Sequence, residues 1–442
     1  MGRRLLLVVA LLLVAAATAA SASARVDADP LIGDEWWLAP IGATQATPPG
    51  PGVPIAIVDS GTDPTHPEFV DRPATTYLNG QTTFGREEYH GTFVASIAAA
   101  PDNGIGIDGV YPQAALEIFD GSPDARGIST SVVVAGVTAL AQHCPAVINL
   151  SFGSTDQDPT LLDAILDAQR HGCLVVAATG NDGLEGNPTT FPAAWPHVLG
   201  VGATDVSDAV TRFSTLGPFV DVVAPGQDMT GAVPTWRDPT GYFHSDGTSY
   251  STPIVSAAAA WLWTVRPTLT ADQVAQILRS SARDIATPGV DSVSGWGIVN
   301  IPAALAAPTP PRDPGEPNDD VEQVRPGRLF ATGQPALTTA ARPSIRVSAS
   351  LDASDDPRDV YRIWVPAHRV VRVSVASGGT AAARIWGPKT ISTNEGLKAR
   401  RRDLRGTTMA AGKKGSAAYV EVLLTGRSPR TPYTLSVTAA RR

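Results

Sequence analysis

Three short runs of apolar, largely β-branched residues, each ending in small polar residues, constrain this chain most. They are Ile55-Ala56-Ile57-Val58 before Asp59-Ser60-Gly61, Val147-Ile148-Asn149-Leu150 before Ser151-Phe152-Gly153, and Leu174-Val175-Val176-Ala177-Ala178 before Thr179-Gly180-Asn181. A run without polar alternation is the pattern of a strand buried on both faces, as in a parallel sheet. A helical stretch over roughly residues 159–171 separates the second run from the third. Strand, helix, strand is the order of a right-handed crossover. The expected fold class is α/β, a mostly parallel sheet with helices on both faces.

In such a sheet the carboxyl ends of the strands carry the ligand site. Asp59, Ser151 and Asn181 all stand there. His90 opens a stretch of small and apolar residues, Gly91-Thr92-Phe93-Val94-Ala95-Ser96, that reads as a helix packed closely on the sheet. Gly247-Thr248-Ser249 leads into Ile254-Val255-Ser256-Ala257-Ala258-Ala259-Ala260-Trp261, a turn feeding a buried helix. Ser249 is expected at the helix start, where unpaired N–H groups stabilise an oxyanion, with Pro253 close behind. A serine hydroxyl attacks well only when a histidine takes its proton and a carboxylate fixes that histidine. Asp59, His90 and Ser249 supply these types in the chain order Asp, His, Ser. The Asn181 amide is a candidate oxyanion donor. A lipase or esterase elbow would read Gly-x-Ser-x-Gly with the order Ser, Asp, His, and Ser249 has neither.

On these motifs residues 29–307 resemble the subtilisin-like serine proteases (subtilases). Asp59-Ser60-Gly61 is similar to the family's aspartate motif, His90-Gly91-Thr92 to its histidine motif, and Gly247-Thr248-Ser249 with Pro253 to its serine motif. The resemblance implies a serine endopeptidase with Asp59, His90 and Ser249 as triad and Asn181 as oxyanion donor. It also implies that Ser151, Phe152, Gly153 and Gly180 line the substrate backbone. Polypeptides are the implied substrate, and catalysis needs no cofactor. Pro101-Asp102-Asn103-Gly104-Ile105-Gly106-Ile107 resembles the family's calcium loop, with Glu68 where a ligating Asp is usual, so a structural calcium ion is an expectation. Phe93, Ser96, Tyr250 and Ile254 replace the usual His, Gly, Met and His. The competing reading is a catalytically silent subtilase-shaped binding protein of the envelope.

Arg3 and Arg4, the apolar residues 5–20 and Ala22-Ser23-Ala24 form a secretory signal peptide over residues 1–24, so the mature chain is expected to be exported and not membrane-spanning. Only residues 25–28 then precede the peptidase domain, where many secreted subtilases carry a long propeptide. In an exported protein Cys144 and Cys173 are expected to form a disulfide. No Cys/His spacing suggests zinc.

Composition divides the chain. Residues 308–442 hold 22 Lys and Arg against 12 Asp and Glu, although the whole chain has a net charge of −8. A Pro-rich linker over 308–320 is expected to join the peptidase domain (25–307) to a C-terminal domain (321–442). Short β-rich runs near residues 359–365, 370–375, 419–424 and 433–437 read as a small all-β sandwich, similar to the β-domains appended to secreted bacterial peptidases. Arg400-Arg401-Arg402 offers a contact for anionic envelope polymers. The spacing fits no nucleic-acid motif.

Overall fold

The computed structural model describes residues 29–80, 88–122, 128–327, 333–353, 356–393, 404–425 and 430–441. The expected signal peptide (residues 1–24) and the Arg400-Arg401-Arg402 triplet lie outside these residues.

Seven strands build the main sheet: β1 (Ile55–Asp59), β2 (Thr75–Tyr77), β3 (Leu116–Asp120), β4 (Val147–Leu150), β5 (Leu174–Ala178), β6 (Val198–Thr204) and β7 (Val222–Pro225). Their order is β2-β3-β1-β4-β5-β6-β7, and every pairing is parallel. All residues of β1, β4 and β5 are buried, because helices cover both faces. On one face Ile55, Ile57, Leu174 and Val176 meet helices α1 (His90–Ala99), α4 (Thr248–Val265), α5 (Ala271–Ser280) and α6 (Ile301–Ala306). On the other, Ala56, Val58, Val175 and Ala177 meet α2 (Thr130–Leu140) and α3 (Pro159–Arg170). The alternation of strand side chains thus divides one apolar run between two cores.

Helix α4 runs through the first core. Ala257, Ala258, Ala259 and Ala260 are no more than 1% exposed, so the helix lies close on β4, β5 and β6. Burial of Ile254, Val255, Trp261 and Leu262 stabilises by about 1.5–3 kcal/mol each. An Ala258→Phe substitution would overpack this contact at a cost of about 1–3 kcal/mol. Pro253 lies inside the helix rather than at its start. It leaves the carbonyl of Ser249 without its i+4 donor. The hairpin β8 (Met229–Ala232) with β9 (Tyr242–Ser245) leads into the helix.

A disulfide joins Cys144 to Cys173 with a Cα–Cα distance of 5.1 Å. It ties the amino ends of the adjacent strands β4 and β5.

After α6, residues 308–320 do not run free. Arg266 donates to the Ala307 carbonyl at 2.8 Å, and Gln273 donates to the Pro310 carbonyl at 2.6 Å. A short helix α7 (Val321–Val324) precedes eight further strands, β10 (Ile345–Leu351), β11 (Arg358–Val365), β12 (Arg369–Ala376), β13 (Ala381–Trp386), β14 (Leu404–Gly406), β15 (Thr408–Ala410), β16 (Ser416–Leu424) and β17 (Thr431–Arg441). They form antiparallel sheets β10-β17-β12-β15 and β11-β16-β13-β14 around a core that includes Leu351, Ile363, Val373, Val420 and Leu435. The α/β unit followed by a β-sandwich is the architecture the sequence pattern predicts.

Candidate active site

The Asp59 side chain ends β1 and is 1% exposed. Its Oδ1 accepts from the Ser60 N–H at 2.7 Å and lies 2.8 Å from Nδ1 of His90. His90 can reach it because α1 begins on the turn after β1. A Cβ at Gly91 would fall 2.0 Å from the Gly61 carbonyl oxygen, so only glycine permits this approach. Burial works against a charged imidazole, but the Asp59 charge, its hydrogen bond and Glu88 outweigh it and raise the His90 pKa.

Ser249 is the second residue of α4 and half-buried. Its hydroxyl donates to the Ser151 carbonyl at 2.8 Å, where β4 ends. The Asn181 Oδ1 accepts from both the N–H and the hydroxyl of Thr248, at 2.9 and 3.0 Å. With the oxygen so engaged, the amide nitrogen is the free end of the side chain. Thr248 had no signal of its own in the sequence beyond standing next to Ser249.

Ser151, Phe152 and Gly153 continue from β4, and Ser154 bridges Phe191 through two backbone hydrogen bonds of 2.8 and 2.7 Å. Gly180 follows β5 at φ 102°, a backbone state that suits glycine. A cavity of about 240 Å³ beside Ser249 is lined by Phe152, Gly153, Gly180, Asp182 and Thr190. A second cavity of about 360 Å³ on the far side of Phe152 is lined by Ile128, Val133, Leu161 and Trp195. All eight sequence-derived site residues therefore stand at one sheet edge.

The four departures from the family pattern have partners. The Phe93 and Tyr250 rings lie 4.1 Å apart, and Tyr250 is 5.7 Å from the His90 ring. Ser96 donates to the Phe93 carbonyl and accepts from the Ala232 N–H, at 2.8 and 2.9 Å. Ile254 is fully buried in the core. Sequence reasoning passed over Asp120, which pairs with Asp59 in register at the end of β3. Burial, with Glu88 and Asp59 nearby, pushes its carboxyl up to about 6. The run Leu116-Glu117-Ile118-Phe119 ending in Asp120 was the available signal.

The loop resembling a calcium site departs from expectation at Glu68. Its Oε1 accepts from the Ile107 N–H at 3.0 Å and the Tyr242 hydroxyl at 2.8 Å, and burial pushes the carboxyl up to about 8. Carboxylate oxygens of Asp29, Asp102 and Asp108 lie within 4.8 Å of one another, and the buried Asp29 Oδ2 has no hydrogen-bond partner. This set of hard oxygen donors fits calcium.

The profile of the subtilase family (peptidase S8) matches residues 50–297. The minor extracellular protease Epr of Bacillus subtilis (strain 168) is 33% identical over 278 residues, a match spanning 61% of this chain and 41% of Epr. Subtilisin BL of Lederbergia lenta is 34% identical over 258 residues, 58% of this chain and 91% of that protein. In fold, the psychrophilic subtilisin-like protease Apa1 of Pseudoalteromonas sp. AS-11 superposes with a TM-score of 0.55 at 19% identity, covering 61% of this chain and 97% of Apa1. With the strand-edge site and these matches together, the chain belongs to the subtilase family of serine-type endopeptidases.

Proposed function

We propose that this chain hydrolyses peptide bonds of exported or external polypeptides through Asp59, His90 and Ser249. The observation that carries the reading is the 2.8 Å contact of Asp59 Oδ1 with His90 Nδ1 on the edge that holds Ser249 and the Asn181 amide. Asp59 engages Nδ1 and so leaves Nε2 to accept the Ser249 proton. The hydroxyl must turn from the Ser151 carbonyl as it attacks the scissile carbon. The Asn181 amide nitrogen and the Ser249 N–H then donate to the oxyanion. His90 returns its proton to the leaving amine, and a water activated by His90 releases the acyl group.

Ser151, Phe152, Gly153 and Gly180 take the substrate backbone as an added strand. The cavity of about 240 Å³ receives the side chain preceding the scissile bond. Asp182 and Thr190 make it polar, while the second cavity joins apolar Ile128, Val133 and Trp195 to acidic Asp156 and Asp158. No cofactor takes part in the chemistry. Asp29, Asp102 and Asp108 would hold a structural calcium ion that fixes the loop after α1 without entering the reaction.

Export is supported by the residue 1–24 pattern and by the similarity to Epr, an extracellular protease. No helix among the described residues is long and apolar enough to cross a membrane. The domain division at residues 307 and 320 belongs to the same reading. Labelling by a fluorophosphonate probe tests the assignment. The full chain should be labelled and Ser249→Ala should not; a folded, unlabelled wild type would leave the silent-relative reading standing.

A further inference from the structure

Where the chain passes from the α/β unit into the sandwich, six ionisable side chains meet in the interior: His197, Asp313, Glu316, Asp319, Asp356 and Asp359. His197 precedes β6, and its Nε2 lies 3.0 Å from Asp319 Oδ2 and 3.2 Å from Glu316 Oε2. Asp313 Oδ2 accepts from the N–H and hydroxyl of Ser350, at 2.6 and 3.0 Å. Asp359 Oδ2 accepts from the Tyr433 hydroxyl, which bonds the Tyr361 hydroxyl at 2.7 Å.

These bonds leave much unsatisfied. The Oδ1 atoms of Asp313, Asp319, Asp356 and Asp359 are buried without a hydrogen-bond partner. Asp359 is fully buried and Asp356 is 8% exposed. One ligand atom each from Asp313, Glu316 and Asp359 lies within 4.8 Å of the other two. Asp313, Glu316 and Asp356 border a cavity of about 50 Å³, room for an ion. On its rim Arg279 donates to Asp221 and Arg430 to Ser350, and the Arg430 charge also acts on Asp313. Five carboxylates crowd this junction, and buried charge is retained only where it is paired or bound to a metal.

We propose that this junction is a calcium site, with Asp313, Glu316 and Asp359 as ligands and the orphaned Asp356 oxygen facing the ion. Calcium suits a set of carboxylate oxygens of irregular spacing, while the His197 ring stays outside as the hydrogen-bonding contact from the α/β unit. The ion fixes residues 313–319 in the shape that presents Glu316 and Asp319 to His197, and so holds the sandwich against the peptidase unit.

The test uses the full chain carrying Ser249→Ala, which suppresses self-cleavage. Calcium bound per chain is counted by equilibrium dialysis after stripping with EGTA. Glu316→Gln and Asp359→Asn should each bind one ion fewer than the Ser249→Ala parent, while the Asp29 loop keeps its own. Asp313→Asn serves in place of any variant whose circular dichroism shows unfolding. An unchanged calcium count in folded variants overturns the proposal. So does one equivalent of zinc that His197→Gln abolishes while calcium is not bound at the junction, because that result makes the His197, Glu316 and Asp319 group a transition-metal site.

Discussion

The Ser249 hydroxyl donates to the carbonyl of Ser151 at 2.8 Å, joining the start of the central helix to the end of β4. Attack requires that bond to break. The hydroxyl is therefore held at the sheet edge until substrate occupies the site. A crystal structure of the phosphonylated enzyme should show the Ser249 Oγ turned away from Ser151 toward the imidazole. Persistence of the Ser151 contact would contradict the proposed direction of attack.

The His90–Asp59 pair predicts a pH profile. The base must be neutral, so kcat/KM should rise with pH through the His90 pKa, which lies above the ordinary 6.5. Asp59→Asn should move that limb to lower pH and reduce kcat by about 10⁴, the scale of the corresponding change in a serine protease triad. Glu88→Gln touches no reacting group and should shift the limb in the same direction with little loss of kcat. The linkage has a definite sign. A raised histidine pKa contributes stability that is fully present below pH 6.5 and is lost as pH rises through the folded value. A limb that does not move in either variant would refute the electrostatic coupling.

The strands that carry the site were legible because burial on both faces demands an unbroken apolar run, and Asp59, Ser151 and Asn181 stand where those runs stop. His90 and Ser249 were legible from the small residues that follow them, which let helices lie close on a sheet. Contacts between distant residues were not. Thr248 reaches Asn181 across 67 positions, and Tyr242 reaches Glu68 across 174. Neither leaves a local pattern. Pro253 stands close behind the helix start as read, but within the helix, where the buried packing of α4 tolerates it. The segment from residue 308 reads as a linker by composition, yet Arg266 binds its Thr309 hydroxyl and Gln273 its Pro310 carbonyl.

The Phe93–Tyr250 contact predicts energetic coupling. These residues stand where the family usually has His and Met, and their rings meet at 4.1 Å. Phe93→Ala should destabilise by about 3–5 kcal/mol, since Phe93 is fully buried. In a double-mutant cycle, Phe93→His with Tyr250→Met should cost less than the sum of the two single changes by about 0.5–3 kcal/mol. Additive losses would show that the two departures are independent.

The Asp29, Asp102 and Asp108 cluster predicts a response to chelation. Without a cation these carboxylates repel one another in a partly buried loop. EGTA should lower Tm, by about 2–4 °C for each kcal/mol of binding free energy removed. Asp102→Asn should weaken the response while Glu316→Gln retains the part that belongs to this loop. An EGTA response identical in Asp102→Asn and wild type would remove the loop from consideration.

The disulfide predicts a stability loss without a catalytic one. Cys144 and Cys173 close a loop of sequence separation 29 at the amino ends of β4 and β5, on the opposite edge from Ser249. In the chain-entropy account such a loop contributes about 3.6 kcal/mol. The Cys144→Ser, Cys173→Ser double variant should unfold at lower denaturant while kcat of its folded fraction is unchanged. A fall in kcat would mean that the cross-link also sets the strand positions at the active edge.

Asn181 gives the sharpest test of the proposed chemistry. Thr248 holds its Oδ1 through two hydrogen bonds, so only the amide nitrogen is free to meet a developing negative charge. That charge exists in the transition state and not in the bound substrate, so its donor should affect kcat and leave KM nearly alone. Asn181→Leu should lower kcat by about 10²–10³. Ser249→Ala should cost about 10⁶, the scale measured when the nucleophile of subtilisin is removed. Thr248→Val removes one of the two bonds that orient the amide and should give a smaller loss of the same kind. If Asn181 served only the turn after β5, its replacement would lower stability and leave kcat per titrated active site unchanged. Active-site titration followed by kcat and KM on a small peptide substrate separates the two. An unchanged kcat in folded Asn181→Leu would rule out the oxyanion role.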